Sequence, residues 1–328
     1  MTQPVTEAFS KRGLVMKPEV TDGTDSVPTA LANGINLYDG SSTIEGDIVD
    51  MSQDLPYFSH DDFLVTNTRS IIEGTAYLYP PSSPGASGST GDPECAVLLL
   101  PAGMASVKDS VAKETQLNPI STSLPSASAY WWHVDHKVKA LGSRVVVSEL
   151  KMEIGMRPSI RCRVQGNYVR PSKQTIPSIT RPAETKFLSQ PENSTSFLSA
   201  NGDAEVELWG ALLSVNFGSE LELEPWTSKK FQGIGGRRGE FTLRCARADL
   251  DDINPWEAWE LSQVFTARYR TYVSASPGPY VEIGIRGKIT AAKMIEIKKK
   301  LAWEITGRCL PSSAGGDEFY ILFGDDTP

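Results

Sequence analysis

Residues 144–164 read RVVVSELKMEIGMRPSIRCRV, and this stretch decides the fold class. Apolar residues at positions 150, 152, 154 and 156 alternate with Lys151, Glu153 and Gly155, which is the period of a β-strand with one face toward solvent. Gly155 and Pro158 predict a corner, and positions 160, 162 and 164 then resume the alternation. The stretch therefore predicts two consecutive strands of a sheet.

Two short helices are predicted from starts of the same type. The first opens at DPECA (residues 92–96) and the second at NPWEA (residues 254–258), each between strand-like runs. Asp92 or Asn254 at the N-cap can accept orphan N–H groups, and the following proline has no N–H to lose. The glutamate after it opposes the positive end of the helix dipole. We expect the second helix to run from Pro255 to about Thr266.

The chain reads as two similar halves. Each half passes from a capped helix through charged strands to a cysteine beside an arginine, at residues 161–162 and 308–309. A recurring pattern of this kind suggests a duplicated β-rich unit. The alternative is a single irregular β domain.

Four segments follow from composition along the chain. Residues 1–33 are polar, contain several prolines and predict an extended N-terminal arm. Residues 34–170 form the first predicted β unit. Residues 171–200, rich in Pro, Ser and Thr, predict the domain linker, and residues 201–328 form the second unit.

One segment is ambiguous. Residues 291–303 read AAKMIEIKKKLAW, and their intrinsic propensity favours a helix. Two faces can nevertheless be separated with period two, and the matching segment of the first half is clearly β. We therefore expect a strand.

Composition excludes several classes of protein. The 328 residues include 40 acidic and 32 basic ones, a net charge of −8, which argues against a surface built to grip phosphate backbones. No apolar run approaches the roughly 18 residues that span a bilayer, and the N-terminus has no signal-peptide pattern. We expect a protein made without export and without a membrane anchor.

The sequence offers little for catalysis or for metal binding. The four widely separated cysteines include no CxxC pair and read as buried thiols. His133 and His136 lie within one predicted strand, where they would point to opposite faces. The run from Gly233 to Arg238 lacks phosphate-loop spacing and reads as a hairpin tip. We expect no enzyme, no cofactor and no metal.

Seven tryptophans leave a second class open. Trp131 and Trp132 would place one ring on each face of a sheet, and Trp256 and Trp259 share one helical face. Exposed rings of this kind could stack on sugars, although core packing and subunit contact explain them equally well.

Several motifs, in their order, carry a family resemblance. Residues 144–166 contain a strand that ends in Gly-x-x-Pro and a next strand that ends in Gly166. Further matches are Leu98–Gly103 in the first helix, the turn LNPIST at residues 117–122, and GDEF at residues 316–319. This series, spread over most of residues 35–323, resembles the major tail tube proteins of long, non-contractile-tailed bacteriophages. No single motif is diagnostic, and the N-terminal arm is not covered.

The resemblance implies a mainly β fold with two tandem β-sandwich units, each with a flanking α-helix. Inner strands of neighbouring subunits would join into a ring-shaped β-barrel, and stacked rings would form the tube through which genome DNA passes without specific binding. Two units per chain imply trimeric rings, with hexameric rings as the alternative. Further implied partners are the tail terminator, distal tail and tape measure proteins, with assembly in the host cytoplasm and a final place in the virion tail. The runner-up is a virion fibre, decoration or carbohydrate-binding β-sandwich protein.

Two long loops are the predicted inter-ring contacts, because long loops usually carry function and aromatic and arginine side chains anchor interfaces. They are residues 47–62 and residues 225–238, of opposite net charge. The contact candidates are Tyr57, Phe58, Asp61, Asp62, Trp226, Lys229, Lys230, Phe231, Arg237 and Arg238.

An acidic lumen is the last expectation. Carboxylates that line the tube would repel DNA and let it slide. The candidates lie in strands with one polar face: Glu149, Glu153, Glu205 and Glu207.

Overall fold

The structure is a computed structural model, and it describes most of the chain. The described ranges are 12–51, 62–181, 189–190, 193–200, 202, 204–224, 231–273, 277–297 and 299–327. Within them the protein is mainly β, which confirms the predicted class, and every strand pair is antiparallel. No helix in these ranges has the length and apolarity to cross a bilayer.

Nine of the described strands precede residue 174, and the others follow it. The first set is β1 (Arg12–Pro18), β2 (Gly34–Ile35), β3 (Tyr38–Met51), β4 (Asp62–Tyr77), β5 (Met104–Asp109), β6 (Glu114–Pro119), β7 (Ala127–His133), β8 (His136–Glu153) and β9 (Ser159–Lys173). The second set is β10 (Ser194–Ala200), β11 (Val206–Leu208), β12 (Gly210–Asn216), β13 (Ser219–Glu224), β14 (Phe231–Arg237), β15 (Glu240–Ala246), β16 (Phe265–Tyr272), β17 (Pro279–Ile297), β18 (Lys300–Cys309) and β19 (Phe319–Asp325).

Two short helices interrupt the strands, α1 (Ala96–Leu99) and α2 (Pro255–Glu260). The predicted cap of α2 is confirmed, since the Asn254 side chain accepts from the N–H groups of Trp256 and Glu257 at 3.2 Å. The helix ends sooner than expected, because β16 begins at Phe265. A 3₁₀ turn, Leu100–Ala102, extends α1, and another 3₁₀ turn covers Gly88–Gly91.

The predicted cap of α1 is wrong. The N-cap is Cys95, and no side chain caps this helix. The Asp92 carboxylate instead accepts from the Ser106 hydroxyl and the Lys108 ammonium, each at 2.8 Å. The hydroxyl and ammonium groups of these two β5 residues therefore hold the Asp92 carboxylate, which does not cap the helix.

The alternation predicted around residue 150 is confirmed as far as Glu153, where β8 ends. It is wrong for Ile154 and Met156, which lie in the turn, and Met156 is 56 % exposed. Leu150 and Met152 on β8 are fully buried, while Lys151 and Glu153 lie on the other face. Ile160, Cys162 and Val164 continue the same apolar face on β9. A bulge at Ser148 shifts the alternation of β8 by one residue, so that Val147 before it and Leu150 after it both point into the core.

The ambiguous segment is β, as expected. Residues 291–297 end β17, Lys299 adopts a left-handed φ of 63° in the turn, and β18 begins at Lys300. Ten residue pairs join the two strands, from Gly287–Cys309 to Ile297–Lys300. Pairing with a neighbour therefore overrides helix propensity here.

The expected extended arm over residues 1–33 is wrong for its described part. Arg12–Pro18 is strand β1, which lies between β2 and β7. Its apolar residues at positions 14–16 are almost completely buried. They require a strand with both faces covered rather than an exposed arm.

The expected linker, residues 171–200, is wrong at both ends, which are strand residues. Strand β9 extends to Lys173 and β10 begins at Ser194, so both ends of the segment belong to the sheet. Ile176 and Ile179 pack on the cluster of Val15, Tyr130 and Trp132. The segment thus covers the face of β7 that turns away from the main core.

One order of strands occurs twice. In the first half β2, β1, β7, β8, β9, β4 and β3 are hydrogen-bonded in that order. In the second half the order is β11, β10, β16, β17, β18, β15 and β12. Corresponding strands of the two halves also follow one another in the same sequence order along the chain, so that β1, β2, β3, β4, β7, β8 and β9 correspond to β10, β11, β12, β15, β16, β17 and β18. Each half adds one hairpin of its own, β5–β6 in the first and β13–β14 in the second.

A single apolar core contains residues from both halves, such as Leu98, Leu150, Leu213, Trp303 and Phe323. The four cysteines are free and buried, as predicted. Burial raises the pKa of the Cys162, Cys245 and Cys309 thiols to about 12, so these groups stay neutral near pH 7.

The cap of α2 gives a prediction of stability. Asn254→Ala removes the acceptor for two helix N–H groups and should lower the free energy of unfolding by about 1 kcal/mol. Urea denaturation measures this, and Asn254→Ser, which keeps an acceptor, should lose much less. Equal losses in the two variants would contradict the capping role.

Candidate assembly surface

The two halves are joined through their main chains. Residues 150–153 of β8 pair with residues 212–215 of β12. Leu150, Met152, Leu213 and Val215 are buried on one face of this ladder and contribute to the core. We call these paired segments the seam. It continues one sheet from the first half into the second.

A second ladder also joins the halves. The C-terminal strand β19 pairs with β17 of the second half and with β6 of the first. Tyr280 of β17 donates to Glu114 of β6 across the same region, at 2.5 Å. Two separate ladders therefore hold the halves in one arrangement.

Several strand edges have no partner within the described chain, and the two longest belong to β17 and β3. Strand β17 pairs with β16 only as far as Gly287, so the edge of residues 288–297 on that side lacks a paired strand. Strand β3 pairs only with β4. Such edges present rows of backbone N–H and C=O groups that can pair with another chain.

The Trp256 indole lies beside the first of these edges. Its N–H donates to the Ala292 carbonyl at 3.0 Å, and its ring meets the buried Trp303 ring edge-on at 4.8 Å between centroids. Trp259 and Leu261 follow in and just after the same helix, and Met294 and Leu301 lie on the face of β17 and β18 that carries Trp303. All four side chains are exposed. We call Trp256 and these four residues the α2 patch. The helical Trp256 and Trp259 were the sequence signal for it, but the contribution of β17 and β18 could not be read from spacing.

The described part of the expected loop 225–238 is mainly a strand. Residues 231–237 form β14 and pair with β13. Trp226, Lys229 and Lys230 lie outside the described residues, Phe231 begins β14, and Arg238 is exposed. The two strands pack against β8 and β9 of the first half.

Arg237 is engaged within its own chain. Its guanidinium forms an ion pair with Glu318 at 2.8 Å and donates to the Gly103 carbonyl at 3.1 Å. The side chains of Arg237 and Glu318 are only 12 % and 10 % exposed. This buried intrachain partner counts against Arg237 as an inter-ring contact. Sequence reasoning missed Glu318, which no local pattern links to Arg237.

The described residues of the expected loop 47–62 are paired strand: residues 47–51 end β3, and residue 62 begins β4. Strands β3 and β4 pair from Tyr38–Thr75 to Met51–Asp62. Asp62 is the first residue of β4, and Tyr57, Phe58 and Asp61 lie outside the described residues. The β-branched residues that are frequent in 43–49 and 65–72 could have revealed these strands.

The four predicted lumen carboxylates separate into two groups. Glu149 and Glu153 lie on the polar face of β8, where Glu149 accepts from Ser214 at 3.3 Å and Glu153 pairs with Lys151 at 2.6 Å. Glu205 pairs with Arg268 beside β10 and β16, and Glu207 is exposed on β11. The four side chains do not converge.

The polar face that includes Glu149 and Glu153 is not acidic. Its strands run from β3 through β4, β9, β8, β12, β15 and β18 to β17. Carboxylates there have cationic neighbours, and the cations are at least as numerous. The pairs within 4 Å are Arg69–Glu45, Arg163–Glu45, Arg163–Glu73, Lys151–Glu153, Arg244–Glu304 and Lys293–Glu304.

A separate buried cluster surrounds Glu282 on β17. Its carboxylate is 1 % exposed and accepts from Arg270 and from the Tyr320 hydroxyl, both at 2.7 Å. Burial and the neighbouring Glu282 charge raise the pKa of Tyr320 well above its usual value. Every charge in the cluster has a partner, so the cluster reads as structural.

The histidine prediction needs correction. Val134 and Asp135 form a two-residue turn, with a left-handed φ of 60° at Val134, and His133 pairs directly with His136. Directly opposed residues share a face, so the two histidines do not point to opposite sides. His136 instead contacts Asp135 at 2.6 Å. Across the described ranges, no three His, Cys, Asp or Glu residues are grouped closely enough to hold a metal ion.

The tryptophan pair on β7 is buried. Trp131 belongs to the main core, and Trp132 belongs to the smaller cluster on the opposite face, as period two predicts. Neither ring is available for stacking on a sugar, since their exposures are 2 % and 3 %.

Comparison with known proteins adds no family. The chain matches neither a family model nor a curated protein.

The Arg237–Glu318 pair gives a second prediction. Arg237→Met leaves a buried carboxylate without its cation and should lower the free energy of unfolding by about 3 kcal/mol, as measured in urea. Arg238→Met, at the exposed neighbour, should change it by less than about 0.5 kcal/mol. The double variant Arg237→Met/Glu318→Leu should recover most of the loss. If Arg237→Met were as stable as the wild type, the pair would not hold the hairpin.

Proposed function

We propose that the chain is a structural virion protein that polymerises as stacked rings into the tail tube of a long, non-contractile-tailed bacteriophage. The observation that carries the proposal is the seam, in which main-chain hydrogen bonds join one half of the chain to the next. The resemblance of residues 144–166 and of the later motifs to major tail tube proteins supports the same function. The virion fibre and decoration alternatives have no specific support from the geometry.

The repeated strand order shows how the seam could recur between chains. Strand β8 corresponds to β17, and β3 corresponds to β12. In the seam β8 meets β12, so the equivalent contact would join β17 of one chain to β3 of the next. Both of these strand edges lack a paired strand in the described chain.

The register of that contact follows from paired residues. Leu150 and Ala292 each come two residues after a bulged position, Ser148 or Thr290. Leu150 pairs with Ile160, which pairs with Ala76, while Ala292 pairs with Ile305, which pairs with Leu243.

The residues next to Leu243 and Ala76 then identify the pair between β17 and β3 that corresponds to the seam pair Lys151–Ser214. Beside Leu243, Thr242 pairs with Ser214, and Ser214 pairs with Lys151 in the seam. Beside Ala76, Thr75 pairs with Tyr38. Tyr38 therefore corresponds to Ser214 and Lys293 to Lys151, so Lys293 of one chain should face Tyr38 of the next. Tyr38 also lines a surface groove with Leu37, Gly40 and Trp131.

Repetition of this contact closes a ring when the rotation per unit allows it. Three chains supply six tandem units, so we propose a trimeric ring. Hexameric rings are the alternative. The polar face of the seam strands would form the inner wall, which would then carry paired charges rather than the acidic surplus expected from the sequence. A wall of neutralised pairs would give DNA little to bind, consistent with passage rather than recognition. The tail terminator, distal tail and tape measure proteins remain proposed neighbours.

The test combines microscopy with a disulfide at the proposed contact. Negative-stain images of the purified protein should show rings or tubes, and native mass spectrometry should find three chains per ring. In Tyr38→Cys/Lys293→Cys, oxidation should then produce covalent dimers and trimers on a denaturing gel. The buried native cysteines should not react under these conditions.

The single variants Tyr38→Cys and Lys293→Cys are the controls and should form no covalent ladder. Discrete monomers in the images at all concentrations would refute the tube. Rings without cross-links in the double variant would refute the strand contact, and six chains per ring would refute the trimer.

A further inference from the structure

The outer part of the β3–β4 hairpin stands clear of the rest of the sheet. Strand β4 pairs with β9 only from Arg69 onward, so residues before Arg69 have β3 as their only described strand partner. We call residues 44–51 and 62–68 the β3–β4 arm. The tip between them lies outside the described residues and is no part of this inference.

The arm exposes apolar side chains on both faces. Ile48 pairs with Val65, and Val49 pairs with Leu64, so successive apolar pairs point to opposite sides of the ribbon. Their exposures lie between 49 % and 66 %. Phe63 is 53 % exposed. A two-stranded ribbon cannot bury such residues by itself, so the arm has the character of a surface that another molecule covers.

The second half shows where an element in this position packs. Strands β12 and β15 correspond to β3 and β4. The β13–β14 hairpin connects β12 to β15 along the chain, just as the outer ends of β3 and β4, which form the arm, lead from one strand to the other. It packs against β8 and β9 of the first half, and Ile234 approaches Gly103 at the end of α1. The hairpin from one unit thus covers the helix end and the two central strands of the unit across the seam.

The corresponding surface of the second half is uncovered in the described chain. Strands β17 and β18 correspond to β8 and β9, and the end of α2 corresponds to the end of α1. Both helix ends are followed by a left-handed residue, Gly103 with φ 83° and Ser262 with φ 51°. This surface is the α2 patch, where Trp259, Leu261 and Leu301 are 51 %, 58 % and 56 % exposed.

We infer that the β3–β4 arm of one chain packs on the α2 patch of the next chain in the same ring. The occupant is a second copy of this protein, because the intrachain docking of β13–β14 across the seam is the template for it. This inference rests on the proposed function. It differs from the inter-ring role that the sequence suggested for this region.

The test starts with charge placed inside the proposed contact. Val65→Asp in the arm and Leu261→Asp in the patch should each raise the concentration at which half of the chains are in rings by at least about tenfold, as measured by native mass spectrometry. Val111→Asp, at a 91 % exposed position in the β5–β6 turn, is the matched control and should leave it unchanged. Thermal unfolding of the monomers should be similar in all three variants, since each changed side chain is exposed.

A photo-cross-linker at position 65 identifies the occupant directly. Rings assembled from a mixture of ¹⁵N-labelled and unlabelled chains should give cross-links between chains, to residues 256–261 or 294–301. Cross-links to other segments, or normal rings from Val65→Asp and Leu261→Asp, would overturn the arm contact and leave the tube intact. Rings of Val65→Asp that form normally but no longer stack would place the arm between rings and also overturn it. Wild-type protein that never forms rings would instead refute the proposed function.

Discussion

The main-chain hydrogen bonds of the seam are the interaction on which the rest of this structure depends. A β-strand has two edges, and each edge carries N–H and C=O groups that need partners. Residues 150–153 of β8 find theirs on β12, which belongs to the other half of the chain. The side chains of Leu150, Met152, Leu213 and Val215 follow into a common core, so hydrogen bonding and apolar burial act at the same place.

The same need for hydrogen-bond partners applies to the unpaired edges of β17 and β3. The outer segment of β17 and the free side of β3 are the counterparts of the seam strands, and neither has a paired strand within the described chain. A long exposed edge promotes uncontrolled association unless an assembly uses it. In the proposed ring, these two edges would pair with each other between neighbouring chains. The β19 ladder holds the two halves of each chain in one arrangement, which would set the curvature of the proposed ring.

On the polar face of the sheet, strand alternation determines which charged residues lie together and therefore the net charge of that face. Strand alternation sends Lys151 to the same side as Glu149 and Glu153, and register places Glu304 between Arg244 and Lys293. The chain as a whole is acidic, yet this face is close to balanced because each strand brings both signs to it. Net charge is a property of composition, whereas the field on one face depends on which residues alternate together.

The sequence by itself determined the local features. Period-two alternation on both sides of the corner at Gly155 predicted β8 and β9, Asn254 predicted its cap, and the cysteines were correctly placed in the core. These features depend on neighbours within a few residues, where side-chain period and capping chemistry act. Only the tertiary structure decided the rest. In the folded chain, residues 12–18 form a strand between two others, and the Asp92 carboxylate binds Lys108 instead of capping a helix. Arg237 forms a buried ion pair with Glu318. Each of these outcomes depends on partners far away in the chain, and the free energy of such pairing and burial exceeds the local preferences that a sequence pattern expresses.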